Sequence, residues 1–240
     1  MAGLLAAALS LTACTAAPPA AGPSETAAAV NTADWPTMEI TGVGPIDKMI
    51  EVPEGAVSLR VDFVCLGGYF SLNLNGATQS DRSGGCDGAR TFLLPVSERG
   101  LMQFYISLPA DSHYALTGEF TTEVFTPDPL IEEACTQLSE FISVYTNADK
   151  GYQVGDVSAE EWRVQMDEAE GLVTDLQDTA TGLIALQVPA LVAGISAPEV
   201  VPGYFLESHS PTAMDIATTM VSAVCSENGS GLAIMAQYGG

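Results

Sequence analysis

The residues best equipped for chemistry in this chain are two histidines, five cysteines and 30 acids. A hydroxyl or thiol nucleophile needs a base within hydrogen-bond reach, and that base is most often histidine. His113 sits in an alternating, strand-like run, and His209 lies between Ser208 and Ser210 ahead of a helix start. No G-x-S-x-G motif accompanies them, because Gly194-Ile195-Ser196-Ala197-Pro198 lacks the second glycine, and no S-x-x-K occurs. Both histidines therefore read as structural. Asn147-Ala148-Asp149-Lys150-Gly151 hints at a calcium loop. The pattern fails where it matters: Tyr152 stands in place of the required glycine and Ser158 in place of the terminal bidentate acid. Asp167, Glu168, Glu170 and Asp175 read as a solvated helix face. A pair of carboxylates could hydrolyse a glycosidic bond, but nothing in the sequence selects one pair from so many acids. No catalytic residue, metal ligand or cofactor is expected.

One polar segment stands apart. Residues 76–88, from Gly76 to Gly88, are polar and glycine-rich and contain Cys86, whose pairing with Cys65 would pin them. They read as a loop held on a rigid scaffold, where binding commonly resides. Asp81, Arg82, Gly84, Gly85 and Asp87 are its candidate ligand residues. It lacks the lysine of a phosphate-binding loop, and its carboxylates would repel phosphate.

The cysteines carry the strongest signal. Leu11-Thr12-Ala13-Cys14 closes a short apolar run that begins near Met1. This resembles the lipobox of bacterial lipoproteins, a branched apolar residue and two small residues before the cysteine that receives lipid. The resemblance implies that residues 1–13 are a removable signal segment and that Cys14 becomes a lipid-bearing N-terminus. The run Leu4–Leu11 is too short to span a bilayer, which takes about 20 residues. It is also unusual in having no Lys or Arg before it. An anchor of two or more acyl chains, at about 0.8 kcal/mol per buried methylene, gives stable attachment. The chain's alanine-rich, lysine-poor style is similar to that of surface lipoproteins from high-GC Gram-positive bacteria. With Cys14 set aside, Cys65, Cys86, Cys135 and Cys225 remain, and four cysteines allow three pairings. Pairing within segments, Cys65 with Cys86 and Cys135 with Cys225, is the simplest. No C-x-x-C occurs, so neither a thioredoxin-like site nor a zinc ribbon is supported.

Composition narrows the partners. The 240 residues are 47% hydrophobic and only 15% charged, with 30 acidic residues against 7 basic and a net charge of −23. Such a surface repels nucleic acid and anionic lipid. Attachment to the membrane then falls to the lipid on Cys14.

Around these residues the chain divides into four stretches. Residues 14–34 are Ala, Pro, Ser and Thr with almost no large apolar side chain. They cannot bury enough surface to offset ordering entropy and read as a flexible tether. At about 3.1–3.3 Å per residue, its reach is roughly 60 Å. Residues 35–126 alternate with period two between turn signals. Strands are expected near 38–41, 48–52, 58–65, 69–75, 90–94, 101–108 and 113–125. Residues 127–240 switch to helical periodicity after Pro127-Asp128-Pro129. A first helix is expected to end at Asn147–Gly151. A second starts at a capping box, Ser158 with Glu161, and carries an apolar stripe to Leu183 before Pro189 kinks or ends it. A short third helix spans Val188–Ile195, and Ser210-Pro211 opens a last one through Cys225.

The expected fold is α+β in two segregated domains, an antiparallel β-sandwich followed by a small antiparallel helical bundle. The expected protein is a monomeric cell-envelope lipoprotein on the extracytoplasmic face of the membrane. Its expected role is non-catalytic, binding an envelope ligand or protein. A carboxylate-dependent envelope hydrolase is the alternative.

Overall fold

The computed structural model describes residues 31–74, 81–86, 88–96, 100–207 and 211–238. Cys14, the signal segment and most of the tether lie outside the described residues, as do Asp87 and His209. Among the described residues, eight strands come first: β1 (Thr37–Val43), β2 (Ile46–Val52), β3 (Ser58–Leu66), β4 (Tyr69–Leu74), β5 (Arg82–Gly85), β6 (Ala89–Pro95), β7 (Gly100–Ser107) and β8 (His113–Thr121). They form two four-stranded antiparallel sheets, ordered β1-β8-β3-β6 and β2-β7-β4-β5.

Alternation explains the layering. Successive side chains in a strand point to opposite faces, so Leu59, Val61, Phe63 and Cys65 of β3 turn inward together, as do Phe70, Leu72 and Leu74 of β4. They meet Phe92, Leu94, Met102, Phe104 and Ile106 in one core shared by both sheets. Between β3 and β4 the chain crosses from one sheet to the other through Gly67 and Gly68, both at positive φ. A Cβ on Gly68 would lie 2.6 Å from the Pro109 ring, so this crossing needs glycine for space as well as for conformation.

Among the described residues, four α-helices follow: α1 (Pro129–Val154), α2 (Ala159–Thr179), α3 (Gly182–Ile195) and α4 (Ala213–Glu227), with a 3₁₀ turn at Tyr204–Leu206. Asp128 caps α1 by accepting from the Leu130 N–H, and Pro129 takes the first helical position, where a missing N–H costs nothing. Asp128 also donates its N–H to Asn228, whose side-chain amide donates back to the Asp128 carbonyl. The start of α1 and the end of α4 are thus bonded reciprocally, close to the Cys135–Cys225 disulfide. The inward faces of all four helices form a second core, including Leu138, Phe141, Trp162, Leu176, Leu191 and Val221. Thr32–Gly240 is one compact unit holding both cores.

Several boundaries differ from expectation. Asn147–Gly151 does not end a helix; α1 continues to Val154 and closes on Gly155 at φ 85°. α2 stops at Thr179, and Leu183, expected on its inner stripe, is an exposed residue of α3. Pro189 lies inside α3 rather than ending a helix. It forfeits a helical hydrogen bond, and burial of Val188, Leu191 and Ile195 around it offsets that loss. Thr212 caps α4 with its side chain, reciprocated by Asp215. β8 ends at Thr121, short of Phe125.

Candidate functional site

Arg82–Gly85 is not loop. It is strand β5, paired with β4 so that Leu72 faces Arg82 and Tyr69 faces Gly85. The Arg82 side chain is fully buried. Its guanidinium donates to the Asp81 and Leu93 carbonyls at 2.9 and 3.2 Å and lies over the Phe125 ring, 4.8 Å from its centroid. Burial pulls its pKa down to about 10, against the opposing pull of Asp81 and Glu227, so it remains a cation at neutral pH. Gly84 is buried as well, and a Cβ there would press on Phe70 at 3.3 Å. Asp81 accepts from the Ser71 hydroxyl at 3.2 Å.

This segment is a junction between strands and helices. The Ser83 N–H donates to the Ser226 hydroxyl at the end of α4. Arg90 of β6 pairs with Glu227 at 2.6 Å. Gly85, Arg90, Leu183 and Glu227 line a small cavity of about 190 Å³ there. Edge strands invite pairing with other chains unless covered, and α4 covers this one. The missed signal was Arg82 itself, an arginine at an alternation position before two glycines.

Both disulfides have the pairing expected within segments. Cys65–Cys86 joins the end of β3 to the residue after β5, and Cys135–Cys225 joins α1 to α4. Asn147, Ala148, Asp149 and Gly151, of the stretch that hinted at a calcium loop, are buried residues of α1. Asp149 accepts from the Trp162 indole N–H at 2.6 Å and from the Gly203 and Phe205 backbone N–H groups at 3.0 and 2.6 Å. It organises the 3₁₀ turn rather than a cation. Asp167, Glu168, Glu170 and Asp175 are all exposed on α2, with Glu170 accepting from Ser196. Among the described residues, no three His, Cys, Asp or Glu side chains cluster in a way that could hold a metal ion. No described helix is long and apolar enough to cross a membrane.

A trough runs across the outer face of β1-β8-β3-β6. The strand register lays its side chains in rows across the sheet. Val43, His113 and Leu66 form one row; Thr41, Ala115, Val64 and Ala89 the next; Glu39, Thr117, Asp62 and Thr91 the third. The middle row is small, while Val43 and Leu66 beside it are 52% and 69% exposed. Two adjoining cavities of about 460 and 450 Å³ share Thr41, Val64 and Ala115. At one end of the trough Val43 and Leu66 flank the exposed His113, and the other end carries the carboxylates of Glu39 and Asp62. Its signal was present in β3, whose outward residues change from Arg60 and Asp62 to Val64 and Leu66.

No protein-family model matches the chain, and no curated protein matches it. Among solved structures, it is similar to a carbohydrate-binding module, CBM36, in complex with calcium and xylotriose, at 11% identity and a TM-score of 0.26, over 38% of this chain and 98% of that one.

Proposed function

We propose that the protein works at the extracytoplasmic face of a cell membrane, held by lipid on Cys14, as a non-catalytic binding or envelope-interaction protein. The observation that carries this reading is the use of Cys65, Cys86, Cys135 and Cys225 in two disulfides. Such bonds persist in oxidising compartments, and the pairing leaves Cys14 as the one cysteine over. At the end of the tether, the sandwich and the helices are two modules with separate cores, the second an antiparallel bundle, joined where α4 covers β5. The binding surface is the trough. Its apolar rows and its acidic end suit a neutral or cationic amphiphilic partner, and the net charge of −23 disfavours anionic ones.

Two measurements test this together. An acyl analogue fed to cells should label the wild type and not Cys14→Ser; label retained in the variant overturns the anchor. Capture from envelope extracts with the disulfide-bonded protein should recover a partner that Val64→Trp, which fills the trough, no longer recovers. Equal recovery by Val64→Trp rules out the trough.

A further inference from the structure

The described residues after α4, through Tyr238, have no regular secondary structure, yet they are laid along α1 in a regular way. The Ala233 N–H donates to the Ser139 hydroxyl at 3.2 Å and the Met235 N–H to the Ser143 hydroxyl at 2.9 Å. Asn147 closes the series, donating to the Met235 carbonyl at 2.7 Å and accepting from the Gln237 N–H at 2.8 Å. Ser139, Ser143 and Asn147 are spaced by four along the helix, and their partners by two along the tail. Four helical residues rise about 6.0 Å, and two extended residues advance about 6.4–6.8 Å. The two repeats therefore stay in step over three rungs. Each serine is poised for the task, because its hydroxyl proton is already given to the carbonyl one turn back, of Cys135 or Ser139, leaving oxygen lone pairs for the tail.

The next position in the same stripe is Gly151. A Cβ there would meet Val157 Cγ2 at 2.4 Å and the Tyr238 ring at 2.9 Å, so the missing side chain leaves a notch that the ring shares with Val157. Leu232 and Tyr238 pack partly against the helical core, whereas Ile234 and Met235 are 54% and 71% exposed. All four hydrogen bonds use main-chain atoms of the tail. Nothing in them depends on its sequence.

The tail also leaves room unfilled. Beside it, between α1 and α2, is a cavity of about 540 Å³ whose walls include Ala233, Met235 and Gln237 of the tail and Glu140, Gln165 and Glu168 of the helices. Larger side chains at the Ala233 and Met235 positions would enter a space flanked by two carboxylates.

We propose that the Ser139–Ser143–Asn147–Gly151 stripe is a binding site for an extended basic peptide segment of another protein, occupied in cis by the chain's own tail. The main chain of the incoming segment takes the three rungs. An aromatic residue takes the Gly151 notch. One or two lysines or arginines take the acidic cavity that the tail leaves open. Recognition by main-chain bonds with pockets for alternate side chains is the logic of strand addition, here on a helix rather than a sheet edge. The site is separate from the trough and does not rest on it.

The test uses two fluorescent peptides: one with the sequence of residues 231–238, and one carrying Ala233→Lys and Met235→Lys. They are titrated into the disulfide-bonded wild type, the Tyr238→Ala chain, whose tail has lost its anchor, and a chain stopped after Ser230. The lysine peptide should bind both altered chains at least tenfold more tightly than the wild type, and more tightly than the native-sequence peptide does. N-methylation of the amide matching Met235 should weaken binding at least tenfold, while methylation matching Ile234 should not. Glu168→Gln in the altered chain should reduce the advantage of the lysine peptide. Absence of saturable binding to altered chains that keep their helical circular dichroism overturns the proposal, as does indifference to which amide is methylated. Equal or tighter binding of the native-sequence peptide would mean exchange of tails between copies instead. Loss of helical signal in both altered chains would make the tail an integral strap and equally overturn it.

Discussion

Asp149 shows what this chain does with its buried polar side chains. The carboxylate is fully buried, and its acceptor capacity goes to an indole N–H and two backbone N–H groups. Replacing it by alanine strands three donors in the core. An unsatisfied buried group costs about 1–3 kcal/mol, so Asp149→Ala should lose roughly 2–4 kcal/mol, measured by urea unfolding followed through tryptophan fluorescence. Asp149→Asn, which keeps a carbonyl acceptor, should lose less. A loss under about 0.5 kcal/mol for alanine, the range of ordinary surface changes, would mean that the donors find other acceptors. Neither Asp149 nor Arg82 was legible as a core residue. In the sequence, Asp149 falls in a polar stretch that reads as a helix end and only hints at a cation loop, and Arg82 falls in a polar, glycine-rich loop. What decides their fate is remote: Phe205, 56 residues from Asp149, and Phe125 beneath the Arg82 guanidinium. The four disulfide cysteines were legible because their chemistry depends on pairing, and segment membership resolved the pairing.

At the scale of elements, the sequence read best where the local rule and the tertiary need agree. The capping box is the clearest example. The Ser158 hydroxyl accepts from the Glu161 N–H at 3.3 Å, and Glu161 accepts from the Ser158 N–H at 2.8 Å. Those bonds from the Ser158 backbone and hydroxyl hold the Glu161 carboxyl below the ordinary glutamate range. A depressed carboxylate pKa adds stability above the unfolded-state value and loses it as pH falls through the folded-state value. Ser158→Ala should therefore destabilise α2 near neutral pH through loss of the cap, and the deficit should shrink in acid as Glu161 becomes protonated in both proteins. Thermal unfolding across that range measures it; a deficit constant with pH would detach the cap from the carboxylate. Strands with clean alternation, such as β3 and β4, were equally legible. β5 was not, because its four residues, Arg-Ser-Gly-Gly, have no β-branched or aromatic member. It is a strand because β4 offers an unpaired edge and α4 covers the other side. The extension of α1 through Asn147–Gly151 was hidden for a related reason. Polar residues and a glycine suggest a stop, but here they face the tail and the 3₁₀ turn, which supply their partners.

For the molecule as a whole, each disulfide serves one of the two cores, and their loops differ greatly. Cys65 and Cys86 are 21 residues apart, whereas Cys135 and Cys225 are 90 apart. Cross-linking restricts the unfolded chain more when the loop is longer, and the logarithmic dependence gives the second bond an advantage of about 1.3 kcal/mol from length alone. The folded state adds to the difference. The helical core tolerates Pro189 within α3 and Gly171 within α2, both of which weaken a helix from inside. The strand core has backbone pairing along every strand to fall back on. The end of α4 also carries other ties: Asn228 to Asp128, Ser226 to Ser83, and the start of the tail. Loosening Cys225 therefore loosens the attachment of three elements. The paired variant Cys135→Ala/Cys225→Ala, which leaves no free thiol, should lose at least about 1 kcal/mol more than Cys65→Ala/Cys86→Ala. Under graded reduction of the wild type, the helical signal in circular dichroism should fall before the strand signal. Urea unfolding of the two variants decides between them. Equal midpoints, or a larger loss for the Cys65–Cys86 pair, would mean that strain or unfolded-state structure outweighs loop length in this protein.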